Sequence, residues 1–477
     1  MSVAASSNAK MVAIVGGGVA GMSAACALAG SGFNVQLIER RGYLGGRASS
    51  YLHPGVNEVI DNCQHVLFGC CTNLIGFYQR IGVADKIHWT SEMTMIEPGG
   101  QRSRLAPIPL PAPLHGLPSL LRAHAFTAAD KFAIMRAFNA MVYSSAQDDG
   151  GESLLDWLKR HKQTEGAINR FWRLVIASAL NADLDRISVP YAAKVVRELF
   201  LNSAEAGSMG MSTVPLSELY KNAEQFLTAH GSSVLYNTNV EALRYDEASH
   251  WTIETRTGPL TADYVILALP FEAVGKLLPS MPQAEGVDSL AKQIAQHEHW
   301  PICSVHLWYD REITNLPHAV LLDRELHWLY NKGKLQPWRK VKGSYVELVV
   351  STSRSFAALE RQRAIDLALS ELKEFFPAAR EAKLEKVALI KEVRATFGVS
   401  PGIDIARPNA ISPWPHLFLA GDWIATGWPS TMESGARSGH QAAEAISNTT
   451  GSRAKYLEPD LNPKGLMPAI YRLVARS

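Results

Sequence analysis

The run Gly16-Gly17-Gly18-Val19-Ala20-Gly21 restricts what this chain can fold into more than any other stretch. It follows a short apolar run rich in β-branched residues, Met11–Val15, and opens a segment that places Met22, Ala25 and Leu28 on one helical face. A second strand is expected at Asn34–Ile38. Strand, glycine turn, helix and strand form a βαβ unit, which implies a parallel sheet with its ligand edge at the carboxyl ends of the strands. Gly16 permits the tight turn, Gly18 lets the backbone approach a pyrophosphate, and Gly21 lets helix and strand pack closely. Val19 and Ala20 begin the helix, whose free N–H groups and partial positive charge face the phosphates.

Glu39 closes the second strand at the distance where an acid accepts hydrogen bonds from the adenosine ribose hydroxyls. An acid there fits NAD or FAD and repels the 2′-phosphate of NADP. Two further elements favour FAD. Arg40, Gly45, Gly46 and Arg47 follow closely, and such a glycine-arginine stretch admits an extended pyrophosphate and a flavin. Far downstream, Gly421-Asp422 ends an apolar strand and precedes a helix that carries Thr431-Met432-Glu433. Asp422 is placed to bind a ribityl hydroxyl. The first amides of that helix would face the flavin N1/O2 edge and stabilise negative charge on the reduced ring.

A chain of 477 residues exceeds one ordinary core. The expected fold is α/β: a Rossmann-like FAD-binding domain with a glutathione-reductase-like parallel sheet, and an inserted, mixed α+β substrate domain. The first is assigned to 1–105, 212–275 and 396–450, the second to 106–211 and 276–395, and a tail to 451–477. The proline-rich stretch 107–118 marks a crossing or a lid. Helices are expected at 128–143, 153–161 and 192–202. A net charge of +2 gives no electrostatic reason to expect nucleic acid. Five cysteines, Cys26, Cys63, Cys70, Cys71 and Cys303, match neither a disulfide framework nor a metal site, so the expectation is buried free thiols, no metal and a reducing cytoplasmic setting. No run reaches the roughly 18 apolar residues of a membrane span. The tail places Leu466, Met467, Ile470, Leu473 and Val474 at helical spacing, for peripheral contact with the inner face of the cell membrane or for docking on the protein itself.

Residues 1–50, the strand pair around Asn239-Val240 and Ala268-Leu269-Pro270, and the stretch 419–439 together resemble the flavin-containing amine oxidase and carotenoid desaturase superfamily. The resemblance spans the chain in order. It implies that Val240 passes its backbone to the adenine and that Met432 lies beside the flavin. At residues 60–71, with 109–115, the chain is similar to a narrower branch, the squalene-associated hydroxysqualene dehydroxylases.

That branch implies a long allylic isoprenoid alcohol as substrate and squalene as product, through loss of water and hydride delivery from reduced flavin. The chemistry needs an acid beside an apolar tunnel. Asp61 and His65, four residues apart on the segment placed over the flavin, are the candidates, and His115 is a weaker one. There is no second dinucleotide fingerprint, so an external electron donor or acceptor is expected. With no cysteine beyond Cys303, FAD is expected to bind noncovalently. Three alternatives stay open. A desaturase would reverse the electron flow and oxidise a polyene. An amine oxidase is disfavoured by Thr431, where an aromatic residue is expected. A flavin-binding scaffold would have no turnover.

Overall fold

The computed structural model describes residues 9–143, 151–246 and 250–474. Its central layer is a five-stranded, wholly parallel sheet in the order Ser233–Leu235, Asn34–Ile38, Met11–Val15, Tyr264–Leu267, Leu417–Leu419. Met11–Val15 lies in the middle, so the glycine turn that follows it opens at the centre of the sheet's carboxyl edge. The helix Val19–Ala29 is buried along its whole length. It is apolar on every side because one side meets the sheet and another meets the helix Met432–Thr449. A Cβ at Gly439 would stand 2.2 Å from the Ala20 carbonyl oxygen, so glycine there lets the two helices touch backbone to backbone. A three-stranded antiparallel sheet, Val240–Tyr245, Trp251–Thr255 and Gly258–Ala262, completes this part.

The other main layer is a seven-stranded sheet in the order Leu384–Phe397, His299–Tyr309, Ser344–Val350, Trp328–Asn331, His318–Leu321, Met93–Ile96, Arg102–Leu105. Side chains alternate across it with the two-residue period of a strand. Leu329, Leu348 and Val350 join the helix Arg361–Phe375 in one apolar cluster, whereas Trp328, Tyr330 and Val349 point to the opposite face and line a cavity. Helical segments close that cavity from the far side: Ala128–Val142, the π-helical run Ile168–Ala177, and Val189–Val196 continued by a second π-helical run, Arg197–Leu201.

One domain boundary is corrected. Strands Met93–Ile96 and Arg102–Leu105 extend the seven-stranded sheet through Val320 and Leu321, so 93–105 belongs with the substrate layer rather than with the nucleotide-binding part. Short polar-apolar strands of this kind carry no mark of which sheet they join. The tail forms the helix Met467–Val474. Met467 is fully buried and Lys464 N–H donates to the Asn202 carbonyl, while Leu473 stays 68% exposed. The tail is therefore docked on the protein along one face only. No helix among the described residues is long and apolar enough to cross a membrane.

Candidate active site

Three distant stretches meet at the carboxyl edge of the parallel sheet. Gly17 N–H donates to Glu39 Oε2 and Arg41 N–H to Glu39 Oε1, both at 2.8 Å. Gly45 N–H donates to the Gly17 carbonyl at 2.8 Å. Gly16 has φ +111° and Gly45 φ +116°, conformations that disfavour any side chain. A Cβ at Gly21 would lie 1.9 Å from the Gly16 carbonyl oxygen, yet a Cβ at Gly18 would meet nothing within 4 Å. That open backbone face, at the N-terminus of a buried helix, is a cradle of the size and polarity a pyrophosphate requires. Thr238 N–H donates to the Glu39 carbonyl at 3.0 Å, which brings Val240 to the same strand end. Arg40 is exposed; its neighbour Arg41 reaches the loop instead and donates to the Gly46 carbonyl at 3.0 Å.

The second stretch is the loop from Gly421 to Thr431. Arg47 Nη2 donates to Asp422 Oδ1 at 2.5 Å, and the Ser430 hydroxyl donates to Oδ2. Burial pushes the Asp422 carboxyl up, but Arg47 and Ser430 outweigh it and hold the group below its ordinary value. Thr431 caps the helix Met432–Thr449 by accepting from Ser434 N–H at 3.2 Å. Arg407 holds this loop in shape. Its buried guanidinium donates to the carbonyls of Asp422 at 3.0 Å and Trp428 at 2.8 Å, and also to that of Ile424. The sequence gives no local sign of that role, because all the carbonyls it binds lie more than a dozen residues away.

The third stretch, 61–68, carries a buried charge cluster. Lys332 Nζ, 1% exposed, donates to Asp61 Oδ2 at 2.5 Å and to Gln64 Oε1 at 2.8 Å, and lies 3.6 Å from Glu347 Oε2. Ser50 Oγ donates to Asp61 Oδ1 at 2.5 Å and Gln64 N–H to Glu347 Oε1 at 2.6 Å. Burial alone would raise the Asp61 carboxyl, but Lys332 and the hydroxyl of Ser50 bring it down to about 2. For Glu347 burial prevails over Lys332 and pushes the carboxyl up to about 7.

Between these stretches and the helical layer lies a cavity of about 580 Å³. Its lining includes Trp428, Pro429, Thr431 and Met432, the segment Pro113–Leu117, and Met467 and Ile470 of the tail. Its walls are mainly apolar. Cys63, Cys70 and Cys71 are among them, and all five cysteines are free and buried.

The whole-chain pattern matches the family model of flavin-containing amine oxidoreductases over residues 19–447. The chain belongs to the flavin-containing amine oxidoreductase family. Among its relatives is a probable zeta-carotene desaturase of Synechococcus elongatus, 24% identical over 91% of this chain and 98% of the relative. A 15-cis-phytoene desaturase of the same organism is 25% identical over 91% and 95%. Among solved structures, putrescine oxidase superposes with a TM-score of 0.69 at 17% identity, covering 92% of this chain and 99% of the other. Cyclohexylamine oxidase from Brevibacterium oxydans superposes with a TM-score of 0.66 at 19% identity, covering 93% and 100%. The protein is an FAD-dependent oxidoreductase with the FAD-binding Rossmann-like fold of this family. The glycine cradle at Gly18, the positive φ angles of Gly16 and Gly45 and the buried Asp422 fit that cofactor.

Within this family member the two acid candidates are corrected. Asp61 is an anion pinned by Lys332, and it does not line the cavity. A carboxyl near pKa 2 holds no proton to give at neutral pH. His65 does not line the cavity either. Its Nδ1 lies 2.7 Å from the Cys63 carbonyl oxygen, so Nδ1 carries the proton, and burial pulls the imidazole below its ordinary value and keeps it neutral. Cys63, Gln64, Val66, Leu67 and Phe68 are the residues of this segment that reach the cavity. Lys332, which sets the charge of the cluster, escaped the sequence reading. It sits in a polar, lysine-rich stretch that reads as solvated surface, and its one signal is the apolar strand Trp328–Asn331 immediately before it.

Proposed function

We propose that this oxidoreductase acts on a long isoprenoid, and that its reaction is the reductive dehydroxylation of hydroxysqualene to squalene. The observation that carries the reading is a convergence. The two stretches with the narrower resemblance, 60–71 and 109–115, both contribute to the wall of one apolar cavity that also takes in Met432, the start of the flavin-side helix. Bound FAD in its reduced state supplies a hydride donor at N5.

The chain's own residues do the rest. The amide of Gly18 and those of the first helical turn would hold the pyrophosphate, Glu39 the ribose, and Asp422 with Arg47 the ribityl side. Gly45 and Gly46 leave room for the extended cofactor. The first turn at Thr431-Met432 presents amides to the pyrimidine edge, where they favour negative charge. Cavity walls of leucine, valine, phenylalanine and tryptophan orient the chain of the substrate and exclude water from a short-lived allylic cation. FAD is held without a covalent link, since no cysteine lies between Cys303 and the chain's last residue. The electron donor is external to the chain.

A second reading is supported by the desaturase relatives: oxidation of a polyene, with electrons passed to a quinone or oxygen. One experiment separates the two. The holoenzyme is photoreduced without oxygen and mixed with hydroxysqualene, and in parallel the oxidised holoenzyme is mixed with phytoene. Flavin reoxidation with squalene in the extract supports dehydroxylation. Flavin bleaching by phytoene, with hydroxysqualene inert, refutes it in favour of desaturation.

A further inference from the structure

Three polar atoms on residues lining the cavity are buried without a hydrogen-bond partner: Nδ1 of His115, Oγ of Ser178 and Oε2 of Glu198. An unpaired buried polar group is costly, so such groups in an apolar wall mark places where a ligand brings the missing partner. Glu198 is the only carboxyl of the three. It is 9% exposed and lies on Arg197–Leu201, where the helix Val189–Val196 widens into π-helical turns, a distortion frequent at functional sites. The side chain of Asn202 hydrogen-bonds to this carboxyl and Arg197 and Lys194 are nearby, yet Oε2 is left unpaired. Lys194 Nζ lies 3.8 Å from Glu198 Oε1, but 3.2 Å from Asp460 Oδ2 and 4.6 Å from the centre of the Trp428 ring.

We propose that Glu198 receives the hydroxyl group of the substrate, binding its oxygen and delivering the proton with which it leaves as water. This rests on the dehydroxylation reading above. The O–H bond of the Glu198 carboxyl breaks and the carbinol oxygen takes the proton. The C–O bond then breaks with its electron pair on oxygen, and water departs. The hydride of the proposed reaction completes the carbon, its two electrons coming from the external donor, and Glu198 recovers a proton from solvent. Burial, the leading influence on this carboxyl, raises it above its ordinary value and so favours the acid form. After donation the carboxylate lies beside the allylic cation as its counter-charge.

The test uses FAD-loaded, full-length protein in two states. In the oxidised state, which cannot deliver hydride, quenching of tryptophan fluorescence measures the binding of hydroxysqualene and of squalene; Trp328 and Trp428 line the cavity. The wild type should prefer the alcohol by about 10-fold, one hydrogen bond's worth. Glu198→Leu should abolish that preference while FAD content and squalene binding stay unchanged. Glu198→Gln, which still hydrogen-bonds, should keep the preference, and in the reduced state should form squalene at least ~100-fold more slowly, the size of a lost general acid. Retained preference in Glu198→Leu, or near-normal turnover in Glu198→Gln, overturns the assignment and leaves dehydroxylation standing. Loss of preference in His115→Leu or Ser178→Ala, with Glu198→Leu unaffected, overturns it as well. A wild type that neither prefers nor converts the alcohol overturns both this inference and the reading it rests on.

Discussion

Replacing Lys332 by methionine tests the buried charge cluster directly. The side chain is 1% exposed, and its ammonium faces two carboxylates, Asp61 and Glu347, that are as deeply buried. Methionine conserves most of the volume and removes the charge. Lys332 and its companions hold Asp61 at about 2 instead of 3.8. At about 1.4 kcal/mol per pKa unit that is about 2 kcal/mol of native-state preference. Because the folded value is depressed, this contribution is present above the unfolded value and disappears as pH falls through about 2. Without the lysine, burial should outweigh the remaining hydrogen bonds from Ser50, Leu216 and Gln64 and lift both carboxyls. Each then favours the native state below its unfolded value and opposes it as pH rises. Breaking a buried pair this way costs about 3–5 kcal/mol. Urea unfolding of wild type and Lys332→Met should therefore differ by about that amount near pH 8 and by much less near pH 5, where the two acids are neutral. The double variant Lys332→Met, Glu347→Gln should recover part of the loss at the higher pH. A gap of the same size at both pH values would refute the reasoning, because it would place the cost in lost packing and not in charge.

Further outcomes follow from the same geometry. Glu347→Gln alone should flatten the pH dependence of stability: Glu347 titrates at about 7 in the fold against 4.5 outside it, so the wild type loses up to about 3 kcal/mol as pH rises through that window and the variant does not. Urea midpoints across the range measure this. Glu39→Ala leaves the N–H groups of Gly17 and Arg41 without their acceptor and removes the ribose ligand, so the fraction of protein retaining FAD after gel filtration, read from flavin absorbance, should fall on the order of 10-fold. Gly21→Ala forces a methyl to 1.9 Å from the Gly16 carbonyl and should yield colourless or insoluble protein. Arg407→Leu strands several buried carbonyls of the Asp422 loop; thermal unfolding should show a loss above about 3 kcal/mol together with faster FAD release.

The sequence was most readable where local geometry and chemistry coincide. Gly16 to Gly21 could be recognised because the turn, the close helix approach and the open phosphate face each exclude side chains, and because Glu39 closes the very next strand. The start of the flavin-side helix was readable for the same reason, since Thr431 is a capping residue in its own right. The strand at 93–96 and the lysine at 332 were not. A four-residue strand is neutral about its partners, and it joins the second sheet through a parallel pairing with a strand more than two hundred residues later. Lys332 looks like surface because the carboxylates that make its burial tolerable lie outside any local pattern, one 271 residues before it and the other, Glu347, on a later strand.

The misplaced acid follows from that same gap. Asp61 and His65 are candidates by their spacing and by the segment they occupy, and spacing cannot report what a carboxylate faces. Once Lys332 is opposite it, Asp61 turns from a proton source into the anion that keeps the segment 61–68 in place, with Gln64 bound to the same ammonium and presented to the cavity. A proton donor for the proposed dehydroxylation has to satisfy the opposite condition, a carboxyl that burial raises and no cation pins. Among the acids on the cavity wall, Glu92 is exposed and paired with Arg104, and Glu433 fails too, since its oxygens accept from Asn73, Leu74 and Arg437. Glu198, whose carboxyl burial raises despite Lys194 at 3.8 Å and a hydrogen bond from Asn202, is the proposed acid, and no local pattern distinguishes it.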